Sequence, residues 1–414
     1  MSEVWTVDSS PRFDALEADT HADVVIVGAG YLGLVAALAL RARGASVIVI
    51  DTNAPGAGAS GRNAGHFAPM MLGGKKTPES TVKLLGPVRG ERWNRRVAGA
   101  GRALTDLVAD NANACDLKPG YLCVARTDTS LDRAERNFAA WAPFGGIFTR
   151  LDAAEIQRRT GTRRYAGGIF LPEGGTLHPL KLALGLAVAV QARGGRVHGR
   201  THATVIERQG RVWRVRTSRG HVDAPHVLVA AGVSAAPLFP ETAAGVYPIG
   251  CNIAATAPLA APLIPEAQAF VDLDASAIFS PALDAEQRLV VSALSETHNP
   301  TLPSAAKPAE RQLARAYPNF TPRFQSLSSG TIGMTPDGLP RIFRLGENLH
   351  AVAGCNGFGL TLGISAAHEA AALIGGAPED DLALPVLTPS PLTGARMIPW
   401  AMRTIAVPIM NRIG

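Results

Sequence analysis

The run Val24-Val25-Ile26-Val27 passes straight into Gly28-Ala29-Gly30-Tyr31-Leu32-Gly33, and a second run, Val47-Ile48-Val49-Ile50, ends on Asp51. Short runs that are apolar at every position read as strands buried on both faces. The order is therefore strand, glycine-rich turn, helix, strand, acidic residue. Gly28 lets the chain turn off its strand, Gly30 admits a pyrophosphate close to the backbone, and Gly33 lets the helix lie against the sheet. The helix N-terminus supplies free N–H groups and the positive end of a dipole. Asp51, 23 residues after Gly28, is placed to accept hydrogen bonds from a ribose diol, and its charge repels a 2′-phosphate. A dinucleotide site is the reading; an α/β unit whose glycines serve packing alone is the alternative.

At 414 residues the chain has room for two cores or for one large domain with insertions. A hydrophobic content of 47% with 18% charged residues belongs to a globular protein and excludes wholesale disorder. The longest apolar runs, such as Leu182–Val190 and Val227–Ala231, fall well short of the roughly 20 residues that span a bilayer. The opening Met1-Ser2-Glu3-Val4-Trp5 has no basic or apolar region of the signal-peptide kind. Cys115, Cys123, Cys251 and Cys355 form no CxxC pair and no metal-ligand spacing, so reduced thiols, no metal and a cytoplasmic location are expected. The net charge of +6 comes from dispersed arginines; the densest cluster, Arg89 to Arg96 around Trp93, reads as a solvated helix face. Nothing there calls for a nucleic-acid partner.

Residues 1–20 are a polar lead-in with one aromatic anchor, Trp5. The loop Gly56–Gly74 is too long and too rich in glycine and alanine for a plain connector. Helix is expected over Leu84–Cys115 and Asp132–Trp141, with a strand at Gly120–Ala125 between them. Pro179 suits the first turn of a helix over Leu180–Arg193, which Gly194-Gly195 ends. Strands follow at Thr204–Glu207, Val212–Arg216 and His226–Gly232, and residues 240–330 look β-rich. Leu349–Gly354, a glycine loop and a helix from Leu360 to Leu373 repeat the order of the N-terminus. The expected class is α/β (α+β overall). A discontinuous Rossmann-like nucleotide domain spans 1–85, 151–235 and 330–378; a β-rich substrate domain spans 86–150 and 236–329; a tail spans 379–414.

Further motifs sharpen the reading: Gly58-Ala59-Ser60-Gly61-Arg62-Asn63-Ala64-Gly65, Leu177-His178-Pro179, Thr335-Pro336-Asp337-Gly338-Leu339-Pro340 and Gly354–Gly363. With the first unit they resemble the D-amino-acid-oxidase-like superfamily of FAD-dependent oxidoreductases, from Trp5 to about residue 375. Within it, the ASGRNAG loop and the tryptophan-bearing lead-in are most similar to the gamma-glutamylputrescine oxidase branch. The resemblance implies a glutathione-reductase-like FAD/NAD(P)-binding fold. It implies that Gly28, Gly30, Tyr31, Leu32 and Gly33 hold the FAD pyrophosphate, and that Asp51 and Thr52 hold the adenosine ribose. Ser60, Gly61, Arg62, Asn63, Ala64, Gly65 and His66 then run toward the flavin, with Arg62 as a cation near phosphate. Val205 meets the adenine through its backbone, while Ala231 and Gly232 pass the cofactor closely. Gly357, Phe358, Gly359, Leu360 and Thr361 aim the last helix at the flavin pyrimidine edge, where a positive dipole end favours the reduced anion. NAD-dependent chemistry is the rival that the ASGRNAG loop argues against.

The implied chemistry is hydride transfer from a carbon beside nitrogen to flavin N5, followed by hydrolysis of the imine. Relatives that oxidise α-amino acids hold the carboxylate with arginines; the corresponding places here carry Ile332 and Gly357, which favours an amine. Arg341 and Arg344 follow the DGLP turn and offer substitutes, with exposed loop arginines as the other reading. His66, Tyr247 and Arg341 are the candidate catalytic residues. His66 and Cys355 are each candidates for a covalent bond to the flavin or for a plain structural place.

The expected substrate is a primary or secondary amine, such as a polyamine derivative, with oxygen as acceptor. One alternative is a D-amino acid or N-methyl amino acid dehydrogenase that feeds a quinone; another is a non-catalytic flavoprotein or redox sensor. In the tail, Trp400, Met402, Ile405, Val407 and Ile409 with Arg403 and Arg412 either contact the inner face of a membrane peripherally or pack on the body or on a second subunit. The sequence fixes no oligomeric state.

Overall fold

The computed structural model describes residues 2–71, 77–111, 114–276, 278–296, 300–390 and 397–413. The end of the glycine- and alanine-rich loop, from residue 72, and the 112–113 part of the expected long helix lie outside the described residues. The centre is a seven-stranded sheet. Its order is Val386–Leu387, Arg341–Gly346, Leu349–Ala353, His226–Val229, Val24–Val27, Val47–Ile50, Arg196–His198. The last five run parallel, and Arg341–Gly346 is antiparallel to Leu349–Ala353.

The side-chain alternation of a strand explains why the central runs are apolar at every position. Val24 and Ile26 point into one core with Leu34, Leu40, Leu186 and Ile364 of the helices Tyr31–Arg41, Pro179–Ala192 and Ile364–Ile374. Val25 and Val27 point into another, with Val215, Val222 and Ala224. Those three belong to a four-stranded sheet of Thr20–His21, His221–Ala224, Val212–Arg216 and Val205–Gln209. The expected α/β class, with a Rossmann-like sheet between layers, is what the chain forms.

Two further sheets complete the molecule. One is antiparallel, in the order Ala282–Leu283, Arg288–Leu294, Tyr247–Pro258, Phe324–Met334. The other runs Phe270–Asp272, Lys118–Ala125, Gly167–Thr176, His66–Phe67, with Thr149–Asp152 also paired to Gly167–Thr176. The helices Pro87–Ala98 and Ala100–Asn111, grouped by sequence with the substrate side, bury Trp93, Val97, Leu104 and Val108 in the same core as the first helix. Val386–Leu387, grouped with the tail, is the edge strand of the central sheet.

The chain ends in a helical segment: Met397–Ala401, a wider turn at Met402–Ala406, and Val407–Ile413. Its apolar residues divide between two faces. Val407 is buried, and Met402 and Met410 pack beside it on the body, whereas Met397, Trp400, Ile405 and Ile409 are exposed. The set proposed from sequence as one membrane-facing group is thus split. Among the described residues, no helix is long and apolar enough to cross a membrane.

One buried carboxylate ties these layers together. Glu369, fully buried on the last helix, pairs with Arg96 and accepts the backbone N–H of Ala383 at 2.6 Å. Replacing Arg96 by leucine leaves that carboxylate without its cation. Denaturant unfolding is expected to show a loss of about 3 kcal/mol. The Arg96→Leu/Glu369→Leu pair is expected to recover part of it; an undiminished loss would show that the pair itself is unimportant.

Candidate cofactor and substrate site

The glycine turn is built on short backbone contacts. Gly28 has φ +116°, and a Cβ there would stand 2.7 Å from the Ala230 carbonyl oxygen. At Gly33 it would stand 1.9 Å from the Gly28 carbonyl oxygen. Only glycine permits this meeting of turn, helix and neighbouring strand. Asp51 closes the turn from the next strand: its Oδ2 accepts the Ala29 N–H and its Oδ1 the Asn53 N–H, both at 2.8 Å. Burial raises the Asp51 carboxyl above its usual range, and those two N–H groups oppose the rise. This brace on the glycine turn is a role that spacing alone did not reveal.

The segment beside Asp51 is 199–203. The Thr201 N–H donates to the Asp51 carbonyl at 2.7 Å, and His202 Nδ1 lies 2.9 Å from the Thr52 hydroxyl. Val205, proposed for the adenine, instead lies on the edge strand of the four-stranded sheet with its side chain 44% exposed. Ala203, two residues earlier, is the buried one, packed with Leu16, Val25 and Ile48.

The ASGRNAG loop folds over the first helix's N-terminus, where N–H groups have no intrahelical partner. Ser60 Oγ accepts the Tyr31 N–H at 3.0 Å. Asn63 bonds within the loop, donating to the Ser60 carbonyl at 2.6 Å and accepting the Gly65 N–H at 2.8 Å. The Trp5 indole N–H donates to the Asn63 carbonyl at 2.7 Å, so the lead-in's aromatic anchor pins the loop. Arg62 forms an ion pair with Glu3 at 3.1 Å rather than standing alone. A Cβ on Gly232, where φ is +56°, would meet no atom within 4 Å, so the backbone there stays open to a group lying against it.

At the far end, His66 opens the strand His66–Phe67, paired to Gly175 and Thr176. Its Nδ1 is 3.2 Å from the Tyr121 hydroxyl, while its Nε2 is buried with no hydrogen-bond partner. The Thr361 hydroxyl, in the wide turn Gly359–Gly363, is likewise buried and unpartnered. The two elements touch. Two orphaned polar groups on touching elements are what a polar cofactor edge would satisfy. Desolvation pushes the His66 imidazole down to about 4 and the Tyr121 phenol well above its ordinary value, so both are neutral near pH 7. The neutral imidazole carries one proton, and the direction of the bond between Nδ1 and the Tyr121 hydroxyl follows which ring nitrogen holds it.

Asn356 holds the last glycine loop: its Oδ1 accepts the Thr335 N–H at 2.8 Å and its Nδ2 donates to the Gly354 carbonyl at 2.6 Å. Ile332 lies 3.7 Å from where a Gly357 Cβ would be, and Tyr247 pairs with Met334 on the adjoining strand. Tyr247 and Ile332 therefore both stand by this loop. Arg341 pairs with Ala353 at the start of this loop, but its guanidinium is engaged inside the DGLP turn by Asp337 at 2.8 Å and by the Leu339 carbonyl at 2.9 Å. Arg344 is paired with Glu379. Burial raises the Cys355 thiol, which keeps it protonated and a poor nucleophile. Among the described residues, no cluster of metal-ligating side chains occurs.

Sequence reasoning missed Tyr121, Asn356 and Thr335. A polar residue inside a glycine-rich loop could have flagged Asn356, but nothing in the sequence links Tyr121 to His66.

The family model for FAD dependent oxidoreductases (DAO) matches residues 23–373. The gamma-glutamylputrescine oxidoreductase of Escherichia coli (strain K12) is 29% identical over 97% of this chain and 96% of its own length. A probable oxidoreductase, OrdL, of Rhizobium meliloti (strain 1021) is 33% identical over 61% of this chain and 58% of its own. Two solved structures share the fold at 21% identity. Glycine oxidase from Geobacillus kaustophilus has a TM-score of 0.69, covering 86% of this chain and 94% of its own. Iminodiacetate oxidase from Chelativorans sp. BNC1 has a TM-score of 0.71, covering 89% and 100%. On the glycine turn, the loop that covers it and a family match over most of its length, the chain belongs to the FAD-dependent oxidoreductase (DAO) family.

Proposed function

We propose that the protein oxidises the C–N bond of a primary or secondary amine and uses oxygen as its acceptor. Bound FAD would supply the redox chemistry, taking a hydride equivalent from the carbon beside nitrogen, with water then hydrolysing the imine. The observation that carries the choice of amine over α-amino acid is the apolar strand end beside the last glycine loop. Ile332 stands there, while Arg341 and Arg344 are held by Asp337 and Glu379.

The chain's own residues have distinct tasks in this reading. Gly28, Gly30 and the first helix's N-terminus hold the pyrophosphate, with Asp51 bracing the turn and facing the ribose. Ser60 and Asn63 hold the covering loop in place. The unpartnered Thr361 hydroxyl, in the turn that opens Ile364–Ile374, and the neutral His66 Nε2 would be the groups available to the polar edge of a bound flavin. A half-buried, apolar surface disfavours an ammonium ion and so favours the unprotonated amine that can give up hydride.

An anaerobic titration of the purified protein with amines, polyamine derivatives and D- and L-amino acids tests this directly. Bleaching of flavin absorbance by an amine class, with recovery in air, is expected. Bleaching by amino acids alone would overturn the amine assignment, and recovery only with a quinone would overturn the oxygen assignment.

A pH effect follows from His66. Its folded-state pKa, about 4, lies below the ordinary value of 6.5. Between those values the unfolded chain binds more protons, so the stability His66 contributes is full above about pH 6.5 and is lost as pH falls toward 4. Thermal melts from pH 7.5 to 4.5 are expected to show a shallower acid decline in His66→Asn than in the parent. Identical slopes would place the imidazole in water.

A further inference from the structure

The strand Phe324–Met334 lies beside three of the segments assigned to the cofactor. At Gly330 a Cβ would be 3.9 Å from the Ala59 Cα of the ASGRNAG loop, and at Gly333 it would be 3.3 Å from Val233 Cγ1, next to Gly232. The Gly333 carbonyl accepts the Asn356 N–H of the last glycine loop at 3.0 Å. The end of this strand, with the start of Tyr247–Pro258 beside it, therefore adjoins the ASGRNAG loop, the Gly232 segment and the last glycine loop. What covers that surface is the C-terminal helical segment. Val407 is 1% exposed and forms one apolar cluster with Ile249 and Leu294, against which Tyr247, Ile332, Met334, Met402 and Met410 pack.

The segment is anchored rather than loosely laid. Asn411 is buried; its Nδ2 donates to the Glu296 carboxylate at 2.9 Å, and its carbonyl accepts from Arg311 at 2.9 Å. The polar ties directly follow Met410, and the apolar side chains of the segment that pack with Tyr247 and Ile332 are Met402, Val407 and Met410. Tyr247, Ile332 and Met334 remain half-buried, as do Met402 and Met410. Thioether side chains fill irregular gaps and adapt to chains of different shape.

We propose that the C-terminal helical segment is a wall of the substrate pocket and that Met402 and Met410 are specificity-determining residues. With Ile332 and Tyr247 they select amines whose carbon chain next to the reacting C–N bond is uncharged. This rests on the amine-oxidase reading and deepens it. A second ammonium or a carboxylate placed against this wall would be desolvated without a partner, which is strongly unfavourable. N-acylated diamines and simple alkylamines meet the requirement; free short diamines and α-amino acids do not.

The test has two arms. In turnover, hexylamine and N-acetylputrescine are expected to reduce the flavin at least about tenfold more efficiently than putrescine. Met402→Ala is expected to raise KM for hexylamine by about tenfold with kcat little changed, and Met402→Glu to move the preference toward putrescine. Unaltered preference in both variants, with melting temperature and flavin spectrum preserved, would overturn the wall while leaving amine oxidation intact. In binding, tert-octylamine has no hydrogen on the carbon bearing nitrogen, so it reports on the pocket without turnover. Its perturbation of the flavin spectrum is expected to need about tenfold more ligand in Met402→Ala. An unchanged titration, or none in the parent, overturns the wall even if no amine proves to be a substrate.

Discussion

Everything in this molecule hangs on one crossing of backbone, where the turn after Val24–Val27 meets the strand His226–Val229 from 200 residues later in the chain. The Gly28 Cα sits so close to the Ala230 carbonyl, and the first helix so close to Gly28, that side chains at 28 or 33 would overlap backbone. That close approach lets distant pieces of chain form one sheet. It also aims a helix N-terminus and an acidic side chain at the same space. Asp51 shows how tightly the two are coupled, since the carboxylate assigned to the ribose also braces the glycine turn through the Ala29 N–H. Loss of Asp51 would loosen the turn as well as the sugar contact.

A second consequence is that both ends of the site are read by helix starts. The first helix begins at Tyr31 beneath Ser60, and the last begins with the wide turn Gly359–Gly363 beside His66. Between them, the polar groups that belong to the protein are largely satisfied within it, by Asn63, Asn356 and Thr335. The unsatisfied ones, His66 Nε2 and the Thr361 hydroxyl, lie on elements that touch each other. The strand ends at Tyr247 and Ile332 have the opposite character, packing with Met402, Val407 and Met410 in an apolar cluster.

Much of this was legible because it is local. The apolar run, the three glycines, the second run and Asp51 sit within 28 residues, and strand, helix and strand formed at Val24–Val27, Tyr31–Arg41 and Val47–Ile50. The helix opened by Pro179 and the strand Leu349–Ala353 were equally plain. What escaped was non-local. Gly167–Thr176 is a ten-residue strand whose glycines depress β-propensity, and its pairing with Lys118–Ala125 cannot be read from either segment. The same limit hid the Tyr121–His66 contact. The apolar pattern also marks the strand at Val205 without showing that it belongs to the small four-stranded sheet. Arg341 looked available because its sequence does not reveal that Asp337, four residues earlier, already holds it.

The most direct measurement is the identity and amount of chromophore in the purified protein. Acid denaturation, with the released flavin quantified and separated from riboflavin and FMN, is expected to give one FAD per chain. A colourless protein that gains no visible absorbance on titration with FAD would contradict the cradle formed by Gly28, Asp51, the ASGRNAG loop and Thr361.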